Sequence, residues 1–440
     1  MYFLYSLLTA VGMVLLLPYF FLLGARRGKY AHNFRERMGF LPPGFPRTPE
    51  GAEGPVWIHA VSVGEVMAAL PLAHMMKVRF PARRVVVSTT TATGQRLARE
   101  RFTFADAIFY FPFDWAGPVR RVLRAVRPAL VVVMETEIWP NFLRGLRRSG
   151  VPVVFVNGRI SQRSFRRYRR LNAVLPGFVE GVLADANLFL MQSRDAAKRL
   201  CELGAPEDRI EVTGNLKYDL TPPEGGPLAR WLEAQIAQQE RWPVVVAGSV
   251  VADEEEEVLA AFDIVQRKWR RALLVLAPRK PERFDSAARI VVEDGWELAR
   301  RSALSFEAPL HEAADVVFLD SVGELAGLYR LAHATFVGGS LVPAGGHNIL
   351  EPAWFAKPPV FGPSMDNFRE MAAQFLSAQA AVQVASGIQL GHAWVNLIEN
   401  EPASQEMGRA ARALVEQNRG ATERCFNRIA KFLAQKGSAA

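Results

Sequence analysis

From Val56 onward the sequence repeats one device: a short, continuous, β-branched apolar run followed by a stretch with helical periodicity. The runs are VWIHAV, RRVVVST, AIFYFP, ALVVVM, PVVFVN and NLFLM, and later PVVVAGS, ALLVLAP, DVVFLD, ATFVGG and PPVFG. Apolar runs that do not alternate with polar residues belong to strands covered on both faces. Parallel strands in turn need long crossovers, which the helical stretches supply. The series therefore predicts an α/β protein of doubly wound type. It is broken once, near the middle, by LTPPEGGP at 220–227, where a proline pair and a glycine pair mark a linker. Two Rossmann-like domains facing across a cleft account for 440 residues.

The first 25 residues stand apart, because they contain no Asp, Glu, Lys, Arg or His. A run of that length can cross a bilayer core of about 30 Å as a helix. A secretory signal peptide is the competing reading, but its positive charge precedes the apolar core, whereas here Arg26, Arg27, Lys29, Arg35 and Arg37 follow it. The expectation is an N-terminal membrane helix, spanning or half-inserted at Pro18, with the body on the cytoplasmic side of the cell inner membrane. The basic collar would then dock on membrane lipids. The boundaries that follow are 1–25 anchor, 26–55 collar and Pro/Gly loop, 56–220 first domain, 221–230 linker, 231–401 second domain, and 402–440 a C-terminal helix and tail.

Fifty-three Lys and Arg against 44 Asp and Glu give a net charge of +9. Nucleic acid is not the expected partner, since no zinc-finger spacing, RNA-recognition signature or basic-aromatic run occurs. Cys201 and Cys425 are too few and too far apart for a disulfide framework or a metal cluster.

Ligands of open α/β sheets bind beyond the carboxyl ends of the strands, so the chemistry should lie there. His59-Ala60-Val61-Ser62-Val63-Gly64-Glu65 follows the first strand. Ser62 with Glu65 three residues on is a capping box, and Glu65 is equally placed for work at the cleft. Met134-Glu135-Thr136-Glu137-Ile138-Trp139-Pro140-Asn141 sets two carboxylates at a strand end. Arg159 and Lys217 follow later runs and suit an anionic substrate. In the second half, Phe336-Val337-Gly338-Gly339-Ser340-Leu341 and Gly345-Gly346-His347-Asn348-Ile349-Leu350-Glu351-Pro352 predict a loop whose amides hold a phosphate while Glu351 takes ribose hydroxyls. The run Asp253–Glu257 reads as carboxylates favoured by a helix dipole. No Walker A loop and no G-x-G-x-x-G fingerprint occur.

Taken together, HAVSVGE, METEIWPN, NGRIS, GNLKYD, APRKPERF, VGEL and GGSLVPAGGHNILEPA resemble the 3-deoxy-manno-octulosonic acid (Kdo) transferases of lipopolysaccharide core biosynthesis. That resemblance implies a two-Rossmann-domain (GT-B) glycosyltransferase using CMP-Kdo as donor and a lipid A precursor, lipid IVA, as acceptor. The first domain would hold the acceptor and the second CMP-Kdo. It implies Glu65 as general base, with Glu135 and Lys217 as charge-stabilising positions. Donor-nucleotide contacts fall on Pro278 and Arg279, on Val322, Gly323 and Glu324, and on Asn348, Ile349, Leu350 and Glu351. Inversion by a single displacement, with no metal and no cofactor beyond the donor, is the expected chemistry. The alternatives are another GT-B sugar-nucleotide enzyme, whether a different glycosyltransferase or an epimerase, and a non-catalytic membrane-tethered binding module.

Overall fold

The structure, a computed structural model, describes residues 1–12, 15, 33–49, 52–222 and 225–437. It divides into two compact units, Met1–Leu220 with Asn418–Ala440, and Thr221–Gln417.

In the first unit the six apolar runs form the parallel strands β1 (Val56–His59), β2 (Val85–Thr89), β3 (Ala107–Tyr110), β4 (Leu130–Met134), β5 (Val153–Gly158) and β6 (Leu188–Met191), and a seventh parallel strand that no run announced, β7 (Ile210–Val212), joins them. Their order in the sheet is β3-β2-β1-β4-β5-β6-β7. The order reverses between β1 and β4, and those two strand ends and β5 carry the acidic and cationic motifs. Both faces are covered, as the unbroken apolar runs require. Trp57, Phe109, Phe142, Phe155 and Phe189 fill one side of the sheet. Ile58, Val87, Val132 and Val154 fill the other, against Met76 of the Val63–Arg79 helix and Phe426 and Ile429 of the Ala421–Gly437 helix.

That last helix is held to the first unit by Asp219, whose carboxylate accepts from the N–H groups of Gly420 (2.6 Å) and Thr422 (2.5 Å). Arg424 adds a bond to the carbonyl of Thr213 at 2.8 Å.

The second unit repeats the plan with β8 (Val244–Val250), β9 (Leu273–Pro278), β10 (Leu298–Arg300), β11 (Val316–Phe318), β12 (Ala334–Val337), β13 (Val360–Phe361) and β14 (Val382–Gln383). All are parallel, in the order β10-β11-β9-β8-β12-β13-β14. Phe262, Phe318, Phe336 and Trp394 pack one face, and Trp231, Leu232, Val246 and Tyr329 the other. Two parallel α/β units therefore stand as expected, in keeping with the GT-B class.

The expected membrane helix does not. Among the described residues, no helix is long and apolar enough to cross a membrane. Residues 2–12 are helical, but the helix seats on the first unit through its polar side chains. Tyr2 donates to Asp185 at 3.0 Å and meets the Phe178 ring edge-on. Ser6 accepts from Asn141 at 2.9 Å, and Thr9 accepts from Trp115 Nε1 at 3.2 Å. Tyr2, Ser6 and Thr9 recur at i, i+4 and i+7, so one face of the uncharged run is committed to the fold, a pattern that counting charges overlooks. The transmembrane helix, and the inner-membrane location with an N-terminal anchor that rested on it, are corrected accordingly. Of the collar, Arg26, Arg27 and Lys29 lie outside the described residues. Arg37 turns inward, donating to the Thr90 carbonyl with its guanidinium 5.1 Å from the Tyr110 ring centre. Arg35 lines a cavity of about 650 Å³ with Phe40, Arg47, Arg121, Arg124 and Arg127.

Candidate active site

At the strand ends of the first unit, Glu65 stands in the first turn of the Val63–Arg79 helix and is only 6% exposed. Ser62 caps the helix from extended backbone, its Oγ accepting from the Glu65 N–H at 3.5 Å. The carboxyl group reaches back, accepting from the Ser62 hydroxyl (2.8 Å) and from the Val61 N–H (2.8 Å). The box and the buried carboxyl are one object. Burial pushes the Glu65 carboxyl up to about 8, with the charges of Glu135 and Glu137 adding and the bonds from Val61 and Ser62 opposing.

Glu135 follows β4 directly and takes a left-handed backbone (φ 53°), which an L-residue adopts only under constraint. Its carboxylate lies 3.9 Å from the Lys217 ammonium. Lys217 is set by two amide caps: Asn157, at φ 58° in β5, accepts from the Leu216 N–H, and Asn215 accepts from the Lys217 N–H, both at 3.0 Å. Burial lowers the Lys217 pKa, opposed by Glu135 and reinforced by Arg159. Glu65, Glu135, Glu137, Arg159 and Lys217 thus share one electrostatic neighbourhood, and burial together with Glu135 raises Glu137 to about 7.

His59, first residue of the same motif, belongs to the core. It is fully buried and stacked on Phe111 at 3.9 Å, with Nδ1 2.9 Å from the Ser88 hydroxyl, and burial drives it down to about 3.

In the second unit Pro278 ends β9, and Arg279 follows with its N–H donated to the Val250 carbonyl at 2.8 Å. Glu351 lies in the short helix Leu350–Ala353 and accepts from the Asn348 amide at 3.3 Å. Burial raises Glu351 to about 7, and the Asn348 bond and the Arg279 charge pull the other way. Arg279 also helps to depress His347, after burial, to about 4. Arg279 and the 348–351 segment are therefore together, with Ile349 and Leu350 buried beneath. Glu324 is engaged instead with Arg301 at 3.1 Å and with the Ser321 hydroxyl, beside Gly323 at φ 96° and the exposed Val322.

One expectation is narrowed here. Of the glycine loop amides expected to hold a phosphate, those of Gly339, Ser340 and Leu341 are already occupied by a carboxylate of the chain itself. Glu254, fully buried, accepts from the N–H groups of Gly339 (2.6 Å), Ser340 (2.8 Å), Leu341 (2.8 Å) and Val251 (3.1 Å). The Gly345 and Gly346 amides go to Ser364 Oγ and the Gly339 carbonyl. Gly338 permits the approach, since a Cβ there would lie 2.5 Å from the Ser249 carbonyl oxygen. The acidic run was visible in the sequence, but a partner some 85 residues away was not. Among the described residues, no group of three His, Cys, Asp or Glu side chains is arranged to hold a metal ion.

Two Rossmann-type units, one with a carboxylate–lysine cluster at its strand ends and the other with an arginine and a half-buried glutamate at a glycine-rich turn, have the plan of the GT-B fold class. The solved structure of a glycosyltransferase from Rickettsia africae shares this fold at 12% identity, with a TM-score of 0.55 over 86% of this chain and 98% of that one. The profile of the family 3-deoxy-D-manno-octulosonic-acid transferase (kdotransferase) matches residues 32–220. The 3-deoxy-D-manno-octulosonic acid transferase of Haemophilus influenzae is 33% identical over 436 residues, 98% of each chain. That of Bordetella pertussis is 34% identical over 404 residues, 88% of this chain and 89% of its own. The chain belongs to the 3-deoxy-D-manno-octulosonic acid transferases and is a glycosyltransferase of that family.

Proposed function

We propose that the enzyme moves Kdo from CMP-Kdo to a hydroxyl of a lipid A precursor such as lipid IVA, by a single inverting displacement, with Glu65 as general base. The observation that carries this reading is the Glu65 carboxyl, buried at a strand-end turn beside Glu135 and Lys217 and raised to about 8. A base poised near the working pH can accept the proton of the attacking hydroxyl as that oxygen bonds to the anomeric carbon. The bond from that carbon to the phosphate oxygen breaks, and CMP leaves with the electron pair. Lys217, paired with Glu135, supplies positive charge toward the carboxylate of Kdo, and Arg159 adds to it. In the second unit Arg279 serves the donor phosphate and Glu351, oriented by Asn348, the ribose hydroxyls. Pro278, Ile349 and Leu350 shape the nucleotide site, and the Val322-Gly323-Glu324 turn, tied by Arg301, borders it.

Purified enzyme with CMP-Kdo and lipid IVA should release CMP and give a product whose mass is raised by Kdo. Glu65→Gln should lower turnover by about 10²–10⁴-fold while CMP binding by titration calorimetry stays within about twofold. Conversion of another sugar nucleotide without transfer to lipid IVA would replace this reading with the epimerase type.

A further inference from the structure

The helix Gln162–Val174 (QRSFRRYRRLNAV) follows β5 and buries a single side chain, Phe165. Arg163, Arg166, Arg167, Arg169 and Arg170 are all exposed. Phe165, Tyr168 and Asn172 share one face by their i, i+3, i+7 spacing, and it is the inward one, because Phe165 is buried and Tyr168 and Asn172 are half-buried. Arg163, Arg166, Arg167 and Arg170 recur at i, i+3, i+4 and i+7 and lie on the opposite face.

The helix carries no carboxylate, and among the described residues none of its arginines forms an ion pair with one; the Arg169 guanidinium lies instead 5.9 Å from the Phe165 ring centre. A solvated surface helix ordinarily mixes signs. Here every i,i+3 and i,i+4 contact along the stripe joins like charges, which destabilises a helix unless an anion lies across it.

The helix is rooted at the cluster described above. Its N-cap, Ser161, comes two residues after Arg159, whose N–H bonds the Thr136 hydroxyl (3.0 Å) between Glu135 and Glu137. From its inward face Tyr168 feels the Glu137 charge, second to burial in raising its hydroxyl. At the far end Leu171 and Val174 are 37% and 76% exposed, so the basic stripe runs into apolar surface.

We infer that the outward stripe of Arg163, Arg166, Arg167 and Arg170 is an acceptor subsite that binds phosphate groups on the acceptor glycolipid, with the apolar end of the helix beside its hydrocarbon. This rests on the proposed reading that the first unit holds the acceptor. Planar guanidinium forks match phosphate oxygens two at a time, and a row of them selects a polyanion that a single lysine would not.

The test is Arg166→Gln/Arg167→Gln/Arg170→Gln in the full chain, assayed with detergent-dispersed lipid IVA and with the same acceptor stripped of its phosphates. The acceptor KM for the phosphorylated form should rise by about tenfold with kcat within about twofold. The donor KM should be unchanged, and the wild-type preference for the phosphorylated acceptor should be lost. The corresponding triple Lys variant should recover most of the loss, which a merely structural role would not predict. An unchanged acceptor KM, or an equal rise for both acceptors, overturns the inference. Loss of binding to anionic vesicles alone, with micellar KM intact, assigns the stripe to a bilayer surface and overturns it too. If the wild type transfers no Kdo at all, the proposed function falls and this inference with it, whereas an active wild type with an indifferent triple variant removes the inference alone.

Discussion

Glu65 illustrates how much a local motif can and cannot disclose. The Ser62–Glu65 spacing announces a capping box, and the structure contains one. What the spacing does not carry is the environment: Glu135 and Glu137 arrive from β4, some seventy residues on, and lift the carboxyl to about 8. Because its pKa is raised above the ordinary carboxylate value, the protonated form is favoured in the fold. Its contribution to stability is therefore greatest below about 4.5 and is lost as pH rises through 8. A general base works in the opposite form, so kcat/KM should climb about tenfold per pH unit and level off near pH 8. Glu135→Gln removes a charge that raises Glu65, so the acid limb of the pH–rate profile should move to lower pH whatever happens to its height. A limb that stays in place in this variant would show that a different group titrates.

Single elements were legible where the information was local. The unbroken β-branched runs became buried parallel strands because two covered faces leave no place for alternating polar residues. The first helix was misread because its seat depends on Asp185, Asn141 and Trp115, which are remote in sequence. Glu254 stands at the start of the Glu255–Lys268 helix, as the acidic run implied, but its partners were illegible for the same reason. As the acceptor for four backbone N–H groups, it holds the turn after β8 and the turn after β12 in one arrangement. Glu254→Gln would set an amide NH₂ against one or more of those donors, with an expected cost of about 1–3 kcal/mol. Thermal unfolding should report the loss, and CMP titration should weaken in parallel, since Arg279 and the 348–351 segment flank these turns. Unaltered melting and CMP affinity would show that the buried carboxylate is dispensable.

On the scale of the whole molecule, the composition and the mid-chain linker pointed to two units, but not to the return of Asn418–Ala440 to the first. That return depends on Ala421, Cys425, Phe426, Ile429 and Leu433 closing the second face of the β1–β7 sheet, a contact no short-range pattern encodes. Phe426→Ala should cost about 3–5 kcal/mol, and the effect should be confined. Hydrogen exchange should quicken in the Val63–Arg79 helix and the 216–220 segment and stay unchanged through β8–β12. Uniform quickening in both units would mean that they unfold as one.

The same return governs what can happen during synthesis. A ribosome delivers residues in order, and N-terminal domains ordinarily finish folding before later ones appear. Here the first unit must wait with part of one face of its sheet, and the flank of the Val63–Arg79 helix that also packs there, uncovered while all of Thr221–Gln417 is made, and it closes only when the Ala421–Gly437 helix emerges. The second unit is thus the first that can be complete, and nascent chains arrested before about residue 420 should present the apolar strip left by Cys425, Phe426, Ile429 and Leu433 to whatever holds unfinished proteins.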